Sequence, residues 1–257
     1  MALIETESLV IKSYNLAEAD RIVVFLTREH GMVRGVAKGA KRLKSKFGSA
    51  LEPFSIVKLE YFQKDAVELV SIQNAELLQS YFAAVTNPDF LQKFSYLGDL
   101  LIALSPPHDP NETLYRMVKA SVETAAADPN SLLSVGVYFE LWLLRLAGYM
   151  PDWSKCDQCQ RMFADDEETF MRVNHHPICL TCAKSSGRPL DASSREIALS
   201  ARRISPNEFV SKTADKSEDL KCLSSILKQM ISQSIGREVA ENGQWTIDNR
   251  YSKKMNN

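Results

Sequence analysis

The rhythm of apolar and polar positions changes near residue 80. Before that point the pattern is short alternation. Residues 6–14 set Leu9 and Ile11 on one face against Val10 and Lys12 on the other. Residues 21–27 (RIVVFLT) form an apolar run of strand length, and Gly31 turns the chain into residues 32–38. Residues 55–62 (SIVKLEYF) alternate again, and residues 67–72 follow a short Gln63-Lys64-Asp65 turn. Period-two runs bounded by tight turns predict strands. Five of them within about 75 residues predict a small closed barrel of OB-fold size. An SH3-like barrel has the same strand pattern, and periodicity does not separate the two.

After residue 87 the period becomes helical. Phe90, Leu91, Phe94, Leu97, Leu100, Leu101 and Leu104 recur at spacings of three and four until Pro106-Pro107 stops them. Asp109-Pro110 and Asp128-Pro129 each place a capping carboxylate before a proline suited to a first turn. They predict helices over 111–127 and 130–147. The second contains LLSVGVYFELWLLRLAG, apolar on most faces, and so predicts the central core helix, ended by Gly148. Further helices are expected near 195–203 and over 218–235. The polar stretch after Gly236 has little pattern, and residues 250–257 read as a frayed end. The organisation predicted is α+β and multidomain. A five-stranded OB-fold barrel occupies residues 1–80 and a helical domain residues 81–257, interrupted over 149–189 by a cysteine module.

That module carries the strongest chemical signal. Cys156 and Cys159 form one Cys-x-x-Cys pair, Cys179 and Cys182 a second, with nineteen residues between the pairs. Two residues between thiolates let one tight turn aim both sulfurs at the same point, and two such knuckles close a tetrahedron around Zn²⁺. A tetrathiolate site leaves no position for water, so the expected role is structural. Disulfide formation and redox catalysis are the competing readings. The first ten residues, MALIETESLV, carry acids where a secretion signal carries bases, and no apolar run approaches the ~18 residues of a membrane span. A cytoplasmic location is expected, where thiols stay reduced. A redox site would place one such motif at a strand–helix junction and would not need two. His175 and His176 precede Cys179 and read as turn residues, and Cys222 reads as a small apolar residue in a helix.

Composition is ordinary for a globular protein: 257 residues, 45% hydrophobic, 25% charged, with a formal net charge of −1. That balance gives no global attraction to nucleic acid, but the charge is unevenly placed. Residues 30–51 contain no acid. Within them VRGVAKGAKRLKSKFG carries Arg34, Lys38, Lys41, Arg42, Lys44 and Lys46, with Gly35, Gly39 and Gly48 allowing close backbone approach. A mobile cationic loop between barrel strands is expected to follow phosphates, with Phe47, Tyr14 and Tyr61 as candidate base-stacking residues or as barrel core. The acid run Asp165 to Glu168 falls between the knuckles and reads as a solvated loop. No P-loop is present, since Gly39 is followed by Ala40 and Lys41-Arg42 without the hydroxyl that would hold Mg²⁺. No G-x-G-x-x-G, G-x-S-x-G or H-E-x-x-H occurs either. A non-enzymatic binding protein is expected. A protein-interaction adaptor and an RNA-binding OB/zinc protein are the alternatives.

Three stretches together resemble the bacterial DNA repair protein RecO family. They are residues 9–54 with the basic VAKGA loop, FELWLLRLAGYMP over 139–151, and CDQC followed by CLTC. The resemblance implies an OB barrel, a helical carboxyl-terminal region and an inserted zinc knuckle. It also implies binding of single- and double-stranded DNA, annealing of complementary strands, and help in loading RecA onto strands coated with single-stranded-DNA-binding protein. The partners implied are a RecR-like protein, RecF in many lineages, and the acidic, apolar tail of the single-stranded-DNA-binding protein. The location implied is the bacterial cytoplasm, at the nucleoid. The family's basic loop falls on Arg34, Lys38, Lys41, Arg42, Lys44 and Lys46, and its zinc ligands on the four cysteines. Some family members lack those cysteines, which agrees with a structural metal. Residues 236–257 depart from the family, lacking its basic, serine-containing helix end.

Overall fold

The computed structural model describes residues 2–16, 18–63, 69–184 and 187–236. Strands β1 (Ala2–Leu16), β2 (Asp20–Thr27), β3 (Gly31–Ala37), β4 (Ile56–Gln63) and β5 (Leu69–Gln79) close a barrel in the order β1-β2-β3-β5-β4. Neighbours run antiparallel except β3 and β5, which are parallel. This Greek-key closure is the OB-fold and removes the ambiguity that periodicity leaves. Strand β1 serves two partners. Its first half pairs with β4 and its second with β2, and a register shift between Val10 and Lys12 bends it from one to the other.

The lack of alternation in RIVVFLT has a physical cause. Val23 and Phe25 point into the barrel with Val10, Val33, Leu59 and Tyr61. Val24 and Leu26 point outward, yet they are buried too, beneath the helices with Leu9, Ile11 and Ile56. Barrel and helices therefore share a core.

Helices α1 (Phe82–Val85), α2 (Pro88–Leu104), α3 (Glu112–Ala127) and α4 (Leu132–Leu146) follow the barrel. On α2, Phe90 and Phe94 stack at 4.4 Å between ring centroids, and Phe54 meets both edge-on at 6.1 and 5.4 Å. Helix α4 is the central helix expected, with Val135, Val137, Phe139, Leu141 and Leu144 all buried. Buried within it, Glu140 accepts a 2.9 Å hydrogen bond from the Tyr96 hydroxyl, and burial holds its carboxyl above the ordinary range. Helix α5 (Leu180–Ala183) lies in the cysteine module. Helices α6 (Ala192–Ser200), α7 (Pro206–Lys212) and α8 (Ser217–Ile235) complete the layer around α4. Among the described residues no helix is long and apolar enough to cross a membrane.

Helix starts differ from expectation at two places. Helix α3 is capped by Asn111, whose side chain accepts from the Leu114 N–H at 2.9 Å, and not by Asp109. Asp128 does cap, but its cap serves a single 3-10 turn (Pro129–Ser131) that leads into α4. Helix α7 is not among the helices that the apolar periodicity predicts, although Ser205-Pro206-Asn207-Glu208 is a complete capping box in which both reciprocal bonds form. The expected turn at 63–65 reaches into residues 64–68, and the expected frayed end falls within 237–257. Both lie outside the described residues.

Barrel and helices are pinned by polar contacts as well. Glu7 on β1 accepts from the Tyr115 hydroxyl and the Lys119 ammonium of α3, each at 2.8 Å. The Lys119 hydrogen bond is the main force holding the Glu7 carboxyl below its usual range, against burial. Arg28 pairs with Glu112 at 2.9 Å. Between them, Gly31 turns β2 into β3 with φ of 65°, and a Cβ there would lie 2.2 Å from the Asp109 carbonyl oxygen. Gly31→Ala is expected to cost about 2 kcal/mol or more, from positive φ combined with this overlap. Urea unfolding of wild type and variant measures it. An unchanged midpoint would contradict the close approach of the β2–β3 turn to residue 109.

Candidate nucleic-acid interface and metal centre

Residues 38–55 join β3 to β4 as a chain of tight turns. Arg42 N–H donates to Gly39 O at 3.1 Å, Ser45 N–H to Arg42 O at 2.9 Å, and Ala50 N–H to Phe47 O at 2.9 Å. Two bonds fasten the start of the loop to the β1–β2 turn. Gly39 N–H donates to Asp20 Oδ1 at 2.8 Å and Lys41 N–H to Ala19 O at 2.9 Å. Phe47, Ala50 and Leu51 are buried in the barrel core. The loop is thus stapled to the barrel at both ends of its basic run. This corrects the expectation of a mobile arc. The sequence carries a signal of this: Phe47, Ala50, Leu51 and Phe54 recur at i, i+3, i+4 and i+7, the spacing of a buried stripe.

The cationic groups nevertheless face outward. Lys38, Lys41, Arg42, Lys44 and Lys46 are exposed, and Arg34, on β3, is half-buried. Among the described residues no carboxylate pairs with Lys38, Arg42 or Lys44. The loop's acid, Glu52, is taken by Arg21 at 3.3 Å. The Lys46 ammonium donates to the Gln73 carbonyl of β5 and sits 5.1 Å from the Phe47 ring centroid.

Two of the three candidate stacking residues are core. Tyr61 is 1% exposed and Phe47 3% exposed, because each fills the barrel interior and no face remains for a base. Tyr14 is exposed, with the Lys12 ammonium 5.8 Å from its ring centroid.

The four cysteines converge. The first pair lies on a turn in which Cys156 N–H donates to Arg161 O and Gln160 N–H to Cys156 O, both at 2.8 Å. Gln160 closes it with φ of 60°. The second pair straddles the end of β7 (Pro177–Cys179) and α5, closed by Lys184 with φ of 46°. Strand β6 (Thr169–Met171) lies between β7 and β8 (Arg188–Leu190) and carries the chain from one knuckle to the other. His175 and His176 stand in the β6–β7 turn as expected, and His176 Nδ1 lies 2.8 Å from Asp157 Oδ1.

All four sulfurs lie within 4.8 Å of one another. Cys159 Sγ and Cys179 Sγ are 3.9 Å apart. A tetrahedron with metal–sulfur bonds of about 2.3 Å has edges of about 3.8 Å, so this set fits one ion. Electrostatics agree. Burial alone would raise the Cys156 thiol, but N–H groups of Cys159, Cys179 and Gln158 aimed at its sulfur outweigh burial and bring it down to about 6. Cys182 is pushed up to about 12, chiefly by its hydrogen bond with Cys179. Against burial, the Cys182 N–H holds the Cys179 thiol below its usual range too, and a bound cation would favour the thiolate form at each sulfur. The spacer between the knuckles is held firmly, and the solvated loop expected there is only partly so. Glu167 receives both Arg161 N–H groups at 2.8 and 2.5 Å, while buried Arg195 donates to the carbonyls of Ala164, Asp165 and Glu167. Asp165, Asp166 and Glu168 remain exposed.

An OB barrel with an outward-facing basic loop, fused to a helical layer with a four-cysteine knuckle able to hold a metal ion, defines a class of two-part proteins. The family model for the Recombination protein O N terminal matches residues 1–81, and that for the Recombination protein O C terminal matches residues 94–242. The chain belongs to the RecO family of DNA repair proteins. It is 30% identical over 194 residues to the DNA repair protein RecO of Koribacter versatilis, covering 76% of this chain and 78% of the relative. It is 26% identical to that of Anaeromyxobacter sp. strain K, covering 79% of each. The RecO of Bifidobacterium adolescentis is 34% identical over 62% of this chain and 65% of its own.

Proposed function

We propose that this chain is a non-enzymatic, DNA-binding recombination mediator that anneals complementary strands and assists RecA loading at strands coated with single-stranded-DNA-binding protein. The observation that carries the proposal is the placement of Lys38, Arg42 and Lys44, exposed and, among the described residues, without a carboxylate partner, on a loop anchored to an OB barrel. Clustered like charges repel one another, and an external polyanion relieves that repulsion. Two complementary strands also repel through their phosphates. A cationic ridge holding both lowers that barrier. Arg34, Lys38, Lys41, Arg42, Lys44 and Lys46 are the DNA-contacting residues in this proposal. The units are the barrel over 1–80 and the helical part over 81–257, with the cysteine module over 149–189. The family supplies the remaining partners proposed, a RecR-like protein, RecF and the tail of the single-stranded-DNA-binding protein, and the bacterial nucleoid as location.

With about five cations on single-strand phosphates, log K against log salt should slope near −3.5. Replacing Lys41, Arg42 and Lys44 together with Ala should weaken binding to all sequences alike and flatten that slope by about two units, without unfolding the chain. Fluorescence anisotropy across a salt series measures both. A salt-independent affinity, or binding confined to RNA, would point to the adaptor or the RNA-binding alternative.

The metal proposed for Cys156, Cys159, Cys179 and Cys182 is Zn²⁺, in a structural role. Four sulfurs at this spacing are soft ligands in the geometry zinc takes, and the closed set leaves no coordination site for a substrate. Native mass spectrometry should find one zinc per chain. Cys156→Ser should lose it and lower the unfolding temperature of the chain, while DNA affinity changes little. A metal-free wild type with undiminished stability would contradict the assignment.

A further inference from the structure

Leu43 is the large apolar side chain that the basic loop does not bury. Phe47, Leu51 and Phe54 of the same loop are 1–3% exposed, whereas Leu43 is fully exposed at 103%. It occupies, with Lys44, the centre of the turn closed by the Ser45 N–H to Arg42 O bond. Lys41 and Arg42 precede it and Lys44 follows, all three exposed. The turn is held out from the barrel by the Gly39–Asp20 and Lys41–Ala19 bonds on one side and by buried Phe47 on the other. The backbone that presents it is already fixed, so a contact there orders the side chain alone. Cations on both sides fix the chemistry of what arrives there as a polyanion with apolar faces. A single nucleic-acid strand has that composition, with phosphates outside and unstacked bases within.

We propose that Leu43 packs against the nucleobases of a bound single strand while the flanking cations hold its phosphates. The proposal rests on the DNA-binding function given above and adds to it a base contact that a purely electrostatic loop lacks. Apolar side chains, leucine among them, wedge against bases in other DNA-binding architectures. A contact to the face of a base is tolerant of sequence and leaves the Watson–Crick edge free. A strand held in this way stays competent to pair with its complement, as annealing requires.

The test uses the full chain, a single-stranded oligonucleotide and an abasic strand of equal length with the same sugar–phosphate backbone. Leu43→Ala should weaken binding to the oligonucleotide about five- to tenfold, leave its salt slope unchanged, and leave the abasic strand unaffected. Leu43→Trp, also on a fully exposed position, should show emission quenched by the oligonucleotide and not by the abasic strand. Equal losses on both strands, or no loss on either with unquenched Leu43→Trp, would overturn the base contact while leaving DNA binding intact. Failure of the wild type to bind either strand would instead remove the DNA-binding function, and this contact with it.

Discussion

The burial of Phe47, Ala50 and Leu51 in the barrel is the contact on which the account depends. It solves a conflict built into the chain. Six cations within sixteen residues disfavour compact structure, because like charges repel and long side chains are costly to order. Apolar residues placed immediately after the cations seat the loop's backbone, so the charge is displayed rather than dispersed. A displayed charge array needs less ordering when a polyanion binds, and this favours affinity.

The second constraint is that the barrel is not free-standing in its packing. Its β1–β2 surface is apolar on both sides, and α2 covers the outer one through Phe90, Phe94 and Leu97. Glu7, Arg28 and Lys12 add ion pairs from the same side to Lys119, Glu112 and Asp99. The basic loop departs from the barrel where β3 ends, beside the β1–β2 turn to which Ala19 and Asp20 tether it. The cysteine knuckle is a separate small cluster, with Cys156, Ile178 and Cys179 at its centre. A segment with so little apolar material would gain from a metal ion, which its four sulfurs are placed to hold, what it cannot obtain from a core.

Much of this was legible in the sequence, for identifiable reasons. Strands half-buried on a barrel alternate, and a helix buried on most faces, such as α4, reads as a long apolar run. The paired cysteines announce their convergence because a two-residue spacer admits few geometries. Other features were less open. Strand β5 continues to Gln79 through Glu76, Leu77 and Leu78, which are exposed and so carry no alternation. Helix α7 is only seven residues long, and its capping box was its one local signal. The cap of α3 is Asn111 and not Asp109, and residue 109 lies instead against the turn at Gly31, a long-range contact no local pattern encodes. For Phe47 the sequence favours barrel core without excluding base stacking, since adjacency to Lys46 says nothing of which way the ring points.

The most direct measurement of the central claim is residue-resolved lysine footprinting, acetylation read by mass spectrometry with and without a single-stranded oligonucleotide. Lys38, Lys41 and Lys44 should be protected by the strand, while Lys212 and Lys221, on the helical part, acetylate as before. Protection that leaves the barrel loop untouched and falls on the helical lysines would contradict the account.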